Sequence, residues 1–239
     1  MPICDVSGML LIDKPSGWTS FDVVNFVRSR FNVPKVGHCG TLDPAATGLL
    51  VLMLGAFTRI SDLFSADDKS YEGTMELGRV TDSGDLDGKV VREADCSGVT
   101  EQAVLETFRK FTGEQMQIPP MVSAVKVGGK KLYELARKGV EIEREPRKIV
   151  IARFELLKFA SPYCDFAVDC SKGTYIRTLC ADVGEALGCG GVLTRLRRTR
   201  SGRFSVSDAL PLEALKELDQ DAFRDLVISK LMALAGPAR

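Results

Sequence analysis

The thirteen residues from Ala45 to Phe57 are apolar except for Thr47, Gly48 and Gly55. That is too short for a membrane span, which needs roughly 20 apolar residues. Its inner part, Leu49 to Leu54, is unbroken by any polar residue and is bounded by glycines, the pattern of a strand buried on both faces. Such a strand needs a covering layer on each side. A chain of 239 residues with 45% apolar and 27% charged residues can build one, as a single large domain or as a domain with a small appendage.

The rest of the chain supplies candidate layers. Gly8 to Asp13 reads as a second buried strand ending in the turn Lys14-Pro15-Ser16-Gly17. Thr19-Ser20 opens a helix with Phe21, Val24, Val27 and Phe31 on its inner face. A short helix is expected over Phe57 to Phe64, and Tyr71 to Leu77 alternates as a half-buried strand. Thr100 starts another helix that Gly113 should stop, and Lys130 to Lys138 reads as a short basic helix. Lys148 to Phe159 and Tyr163 to Cys170 are strands, Thr174 to Leu187 is an amphipathic helix, and Leu210 to Leu234 is helical and packs back on the sheet. Strands and helices are mixed without a strict alternating rhythm, so the expected class is α+β.

Seven cysteines, an odd number with no CxxC pair, argue against a disulfide framework and a zinc ribbon. His38 is the only histidine, which removes most histidine-based chemistry. Met1 to Asp5 has no basic leader, so the expected compartment is the cytoplasm and no membrane partner is expected. Net charge is zero but unevenly spread: residues 1–122 carry −6, residues 123–203 carry +8 and residues 204–239 carry −2. A basic middle third is either a nucleic-acid footprint or a solvated surface.

Three segments could carry chemistry. Gly37 to Gly48 is dense in Gly, Pro and hydroxyl residues and leads straight into the buried strand, which places Asp43 either as a fixed reactive carboxylate or as a turn former before Pro44. At Ser171 to Leu179 a glycine turn precedes a helix start that carries Arg177, an anion site or simply a surface arginine. Leu193 to Arg203 holds five arginines in eleven residues, either phosphate contacts or one exposed strand face. Gly128-Gly129-Lys130-Lys131 lacks phosphate-loop spacing. Ser83 to Gly88 lacks the glutamate a calcium loop needs at its twelfth position.

Together, and in this order, these segments resemble the TruB family of pseudouridine synthases. The matching stretches are Leu11 to Ser20, Gly37 to Gly48, Lys69 to Gly73, Leu77-Gly78 with Thr81 to Gly88, Pro119-Pro120 with Ser123-Ala124 and Lys126, Leu132 to Arg137, Ser171 to Leu179, and Val192 to Gly202. The resemblance implies a mixed, mostly antiparallel sheet with flanking helices. Residues 1–203 would be the catalytic domain, with an RNA-gripping thumb insertion at about 115–147. Residues 204–239 would be a short helical segment in place of a full C-terminal RNA-binding domain.

The implied activity is isomerisation of the T-loop uridine of tRNA (position 55) by a monomer that binds the T-arm and needs no cofactor or metal. Asp43 would be the catalytic aspartate, Arg177 its ion-pair partner and Tyr71 the residue stacked on the target base. His38 would wedge into the RNA, Tyr175 and Leu196 would line the base pocket, Asp85 would join the Asp43–Arg177 network, and Lys14 would contact substrate. Lys126, Lys130, Arg137, Arg197 and Arg198 would contact the RNA backbone. Cys39 stands where family members often have Thr, and Val122 where Tyr is common. Three alternatives stay open: an RNA chaperone with incidental catalysis, a carboxylate-based hydrolase, and a guide-RNA-dependent relative acting on another RNA. The hydrolase would need a second carboxylate that the Gly37–Gly48 segment lacks.

Overall fold

A computed structural model describes residues 4–123, 126–127, 130–132, 140 and 142–235. In chain order its strands are β1 (Gly8–Lys14), β2 (Val36–His38), β3 (Thr47–Leu54), β4 (Lys69–Leu77), β5 (Arg79–Thr81), β6 (Val90–Glu93) and β7 (Gly113–Gln117). There follow β8 (Lys126–Val127), β9 (Lys130–Lys131), β10 (Arg147–Ala160), β11 (Tyr163–Cys170), β12 (Gly191–Ser201), β13 (Phe204–Ser205) and β14 (Leu210–Pro211). The chain forms two compact units, Met1–Tyr71 with Arg197–Arg239, and Glu72–Leu196.

In the first unit the strand order is β14-β1-β3-β12, with β2 against β3 and β13 against β12. β1 and β3 are antiparallel from Gly8↔Leu54 to Lys14↔Gly48, whereas β14 runs parallel to β1 and β12 parallel to β3. Both central strands are buried along almost their whole length, which is why they read as continuous apolar runs instead of alternating ones. A cluster of Met9, Leu11, Cys39, Leu49, Val51, Met53 and Phe204 forms one core, with Phe57 and Phe64 packed against it.

The helix Ser20–Arg30 begins with a reciprocal capping box between Thr19 and Asp22. It buries Val23, Val24 and Val27, while Phe21 is 60% exposed. The expected inner face is therefore rotated, with Val23 in place of Phe21. The ring of Phe31 stacks on Phe223 at 3.8 Å and nearly parallel, which docks the C-terminal helix Gln220–Ala235.

In the second unit the order is β12-β4-β11-β10-β7, with β10 antiparallel to both β11 and β7. The helix Glu101–Lys110, capped by Thr100, buries Val104 and Phe108. The Phe108 ring stacks on Phe154, which meets Phe166 edge-on. Gly73 in β4 makes room for this packing, since a Cβ there would lie 2.5 Å from Phe166 and 2.9 Å from the Arg195 carbonyl. The mixed sheet with flanking helices matches the α+β expectation. Of the expected basic helix at Lys130–Lys138, the first two residues are strand, Lys130–Lys131 pairing antiparallel with Lys126–Val127, and Leu132 is helical. Residues 133–138 of that expectation lie outside the described residues.

Candidate active site

Asp43 sits half-buried on the loop between β2 and β3. The loop makes one backbone bond of its own at this point, from Ala46 N to Asp43 O at 3.1 Å. Further bonds hold it from outside. Ser20, the first residue of its helix, accepts from Leu42 N at 2.8 Å and donates to Leu42 O at 3.1 Å. Gly17 N donates to Pro44 O at 2.9 Å, and Ser16 Oγ donates to Ala45 O at 3.2 Å. The turn after β1 and the start of the first helix together fix both neighbours of Asp43, the kind of support a reactive group needs to keep one geometry.

Lys14 completes this support. Its side chain is fully buried and its ammonium donates to the carbonyls of Trp18 (2.6 Å), Pro15 (2.9 Å) and Pro44 (3.2 Å). Burial pushes its pKa down to about 8, against the attraction of Asp43 and with the repulsion of Arg198. Lys14 was expected to contact substrate; its donors are directed instead to protein backbone. His38 lies in β2 with a buried Nδ1 that has no partner, and burial followed by the Arg198 charge lowers its pKa, so the imidazole is neutral. The Cys39 thiol is pushed up to about 11 by burial and stays protonated.

Arg198, expected from the sequence to contact the RNA backbone, is only 1% exposed, and its guanidinium is directed to protein carbonyls. Its Nε donates to Leu49 O at 2.7 Å, Nη2 to Gly40 O at 3.1 Å and Nη1 to Thr41 O at 3.4 Å. Arg197 makes a two-pronged ion pair with Asp13, at 3.0 and 2.7 Å. Arg200 bonds Ser70 and Gly202 O, and Arg195 reaches Thr74 and Asp165. Of the five arginines in this segment Arg198 alone is buried, while Arg195, Arg197 and Arg200 meet protein partners from exposed or half-exposed positions. Of the other basic residues proposed for RNA, Lys126 and Lys130 sit on the β8–β9 hairpin, their side chains outside the described set, as is all of Arg137.

In the second unit Arg177 is buried at the start of the helix Ile176–Ala186. Its Nη1 donates to Ser83 O at 2.9 Å and lies 3.4 Å from Asp85 Oδ2, and its Nη2 donates to Val122 O at 2.8 Å. Asp85 is fixed in turn by Ser83 Oγ and by Asp87 N at 3.1 Å. Asp85 thus pairs with Arg177, whose guanidinium is shared with two carbonyls. Tyr175 is the cap residue of the same helix, and the buried Gln117 side chain brackets its backbone, accepting from Tyr175 N at 2.8 Å and donating to Tyr175 O at 3.1 Å. Nothing in the sequence singled out Gln117. Tyr71 in the first unit and Leu196 in the second are each half-buried. Among the described residues no group of three or more His, Cys, Asp or Glu could hold a metal ion, and no helix is long and apolar enough to cross a membrane.

The model for the N-terminal domain of TruB family pseudouridylate synthases matches residues 28–176, and that for the tRNA pseudouridylate synthase B C-terminal domain matches residues 177–233. The chain is 49% identical over 217 residues to a protein of Opitutus terrae named tRNA pseudouridine synthase B, covering 91% of this chain and 90% of the other. It is 46% identical over 230 residues to a protein of the same name from Endomicrobium trichonymphae, covering 96% and 97%. A chain in the solved structure titled "Crystal Structure of a Cbf5-Nop10-Gar1 Complex" superposes with a TM-score of 0.71 at 30% identity. That match takes in 92% of this chain and 59% of the other, so this chain spans about three fifths of its length.

Proposed function

This chain belongs to the TruB family of pseudouridylate synthases, and we propose that it isomerises the T-loop uridine of tRNA with Asp43 as its one catalytic carboxylate. The observation that carries the assignment is the fixation of the Asp43 loop, whose carbonyls and amides are held by Ser16, Gly17, Ser20, Lys14 and Arg198. Isomerisation breaks the N1–C1′ bond, turns the uracil over and forms a C5–C1′ bond. It transfers no electrons to an acceptor. One ionised carboxylate, acting as nucleophile or in a proton step, meets that demand.

In this reading Arg177 supplies the positive charge that keeps Asp43 ionised. Its own fixation by Asp85, Ser83 O and Val122 O supports that role. Tyr71 stacks on the extruded base, His38 enters the RNA as a neutral wedge, and Tyr175 and Leu196 line the base pocket. Residues 1–203 form the catalytic domain, with the RNA-gripping insertion at about 115–147. All seven cysteines are free thiols, which supports action in the cytoplasm, and the protein works as a monomer on the T-arm. Relatives named for tRNA match nearly the whole chain at 46–49% identity, against 30% for the chain of the Cbf5-Nop10-Gar1 complex, which favours tRNA as the substrate. The test is incubation of unmodified tRNA with the protein and mapping of the product. Pseudouridine at the T-loop position alone is expected, and modification elsewhere would redirect the assignment.

A further inference from the structure

Arg198 presents an unusual expenditure. A guanidinium 1% exposed has lost its hydration, which is strongly unfavourable unless its donors are well used. Its three hydrogen bonds go to backbone carbonyls, and all three lie on the two legs of one loop. Gly40 O and Thr41 O belong to the descending leg, three and two residues before Asp43, and Leu49 O belongs to the ascending leg at the start of the buried strand. The ascending leg is also seated on the Arg198 backbone. β3 pairs with β12 at Arg198↔Gly48, and Gly48, at φ +99°, lies so close that a Cβ would stand 2.3 Å from the Arg198 carbonyl. One residue therefore touches the loop on both sides of its apex, main chain on one leg and side chain on both.

We propose that Arg198 is a positioning residue for the isomerisation, a brace that fixes the span of the Gly40–Leu49 loop and so the placement of the Asp43 carboxylate. The proposal rests on Asp43 being the catalytic carboxylate. Without the brace, Gly40 O and Thr41 O lose their partner and this leg can shift. A displacement of about 1 Å at a reacting group can cost on the order of a hundredfold in rate. Lysine is a poor substitute, because it puts one nitrogen where the planar fork holds three, and cannot keep the bonds to Leu49 O, Gly40 O and Thr41 O in their present geometry.

The test compares Arg198→Lys, Arg198→Gln and Asp43→Asn by single-turnover rate on saturating tRNA, by tRNA affinity against salt, and by thermal melting. Arg198→Lys should turn over about 100-fold more slowly than wild type, with affinity and salt slope unchanged, at a temperature where melting shows it folded. If the lysine variant does not fold, Arg198→Gln is read in the same way. Wild-type rates in a folded variant overturn the proposal. So do weaker affinity and a shallower salt slope with the rate on saturating tRNA preserved, which would make Arg198 a phosphate contact. Turnover by Asp43→Asn sinks the underlying catalytic assignment. A dead Asp43→Asn beside a fully active Arg198→Lys sinks the brace alone.

Discussion

The Lys14 ammonium donates to the Pro44 carbonyl at 3.2 Å, one residue beyond Asp43, and ties the end of β1 to the apex of a loop 30 residues away in sequence. With two further carbonyls on the same ammonium, Lys14 links the turn after β1, the approach to the first helix and the Asp43 loop at one buried charge. That charge is also drawn to Asp43, so the loop's geometry and the carboxylate's electrostatics depend on one proton.

That proton leaves near neutrality. With the Lys14 pKa at about 8, the amine becomes neutral as pH rises through 8, and the single-turnover rate should fall over the same interval. The folded pKa lies below the ordinary value of 10.5, so between about 8 and 10.5 the unfolded chain binds the proton and the folded one does not. In that window this group makes stability rise with pH. Activity should therefore drop while the contribution of Lys14 to the melting temperature increases. Lys14→Arg, which stays charged, should abolish the alkaline limb whatever its absolute rate. An unchanged limb in that variant would assign the titration to another group.

Asp43→Asn should lose turnover by at least about a thousandfold while binding tRNA within a few-fold of wild type, because an amide can neither attack carbon nor carry the proton. The side chain is nearly isosteric, so the loop bonds to Ser20, Lys14 and Arg198, all made by backbone, should survive. Product mapping with enzyme free of wild-type contamination is the check.

For Arg177→Lys the expectation is loss of most activity although charge is retained. The guanidinium serves Ser83 O, Val122 O and Asp85 from two nitrogens of a rigid plane, and a single ammonium nitrogen cannot keep all three contacts in that geometry. At least one of these part-buried acceptors would lose its donor, which costs up to about 1–3 kcal/mol, so melting temperature should fall as well. Single-turnover rates near wild type would show that charge alone suffices.

How far the sequence could be read depended on which signal each feature leaves. β1 and β3 are legible because strands buried on both faces leave unbroken apolar runs, and the first helix because Thr19 and Asp22 mark its start. Its inner face is misjudged at Phe21, since a large apolar residue beside a buried face looks the same in sequence whether it points in or out. Arg198 misleads for a related reason. Five arginines in eleven residues look like a charged surface, and only the strand pairing that brings Gly48 onto its backbone turns Arg198 inward. Lys14 sat in a recognisable motif, but its task as a donor to three carbonyls is a property of distant backbone that no spacing encodes.

Gln117 left no signal at all, and it yields the last expectation. Its side chain is buried at the end of β7 and forms both bonds an amide can offer to one backbone, to Tyr175 N and Tyr175 O. The helix that follows has no side-chain cap of its own, so Gln117 takes over the capping role from another strand and sets where Tyr175 and Arg177 begin. Tyr175 O also accepts from Leu179 N at 3.0 Å, so it keeps a partner when Gln117 is removed, whereas Tyr175 N donates to Gln117. Gln117→Leu should therefore destabilise the protein by about 1–3 kcal/mol, the cost of one buried donor left unmade. Gln117→Glu keeps the acceptor for Tyr175 N but sets an oxygen against Tyr175 O, and should recover part of the loss only when that carboxyl is protonated. Its melting temperature relative to wild type should then improve as pH falls. Denaturant titration of both variants, with single-turnover rates alongside, separates lost stability from a displaced Arg177. Wild-type stability and rate for Gln117→Leu would show that the bracket has no consequence for the helix that follows it.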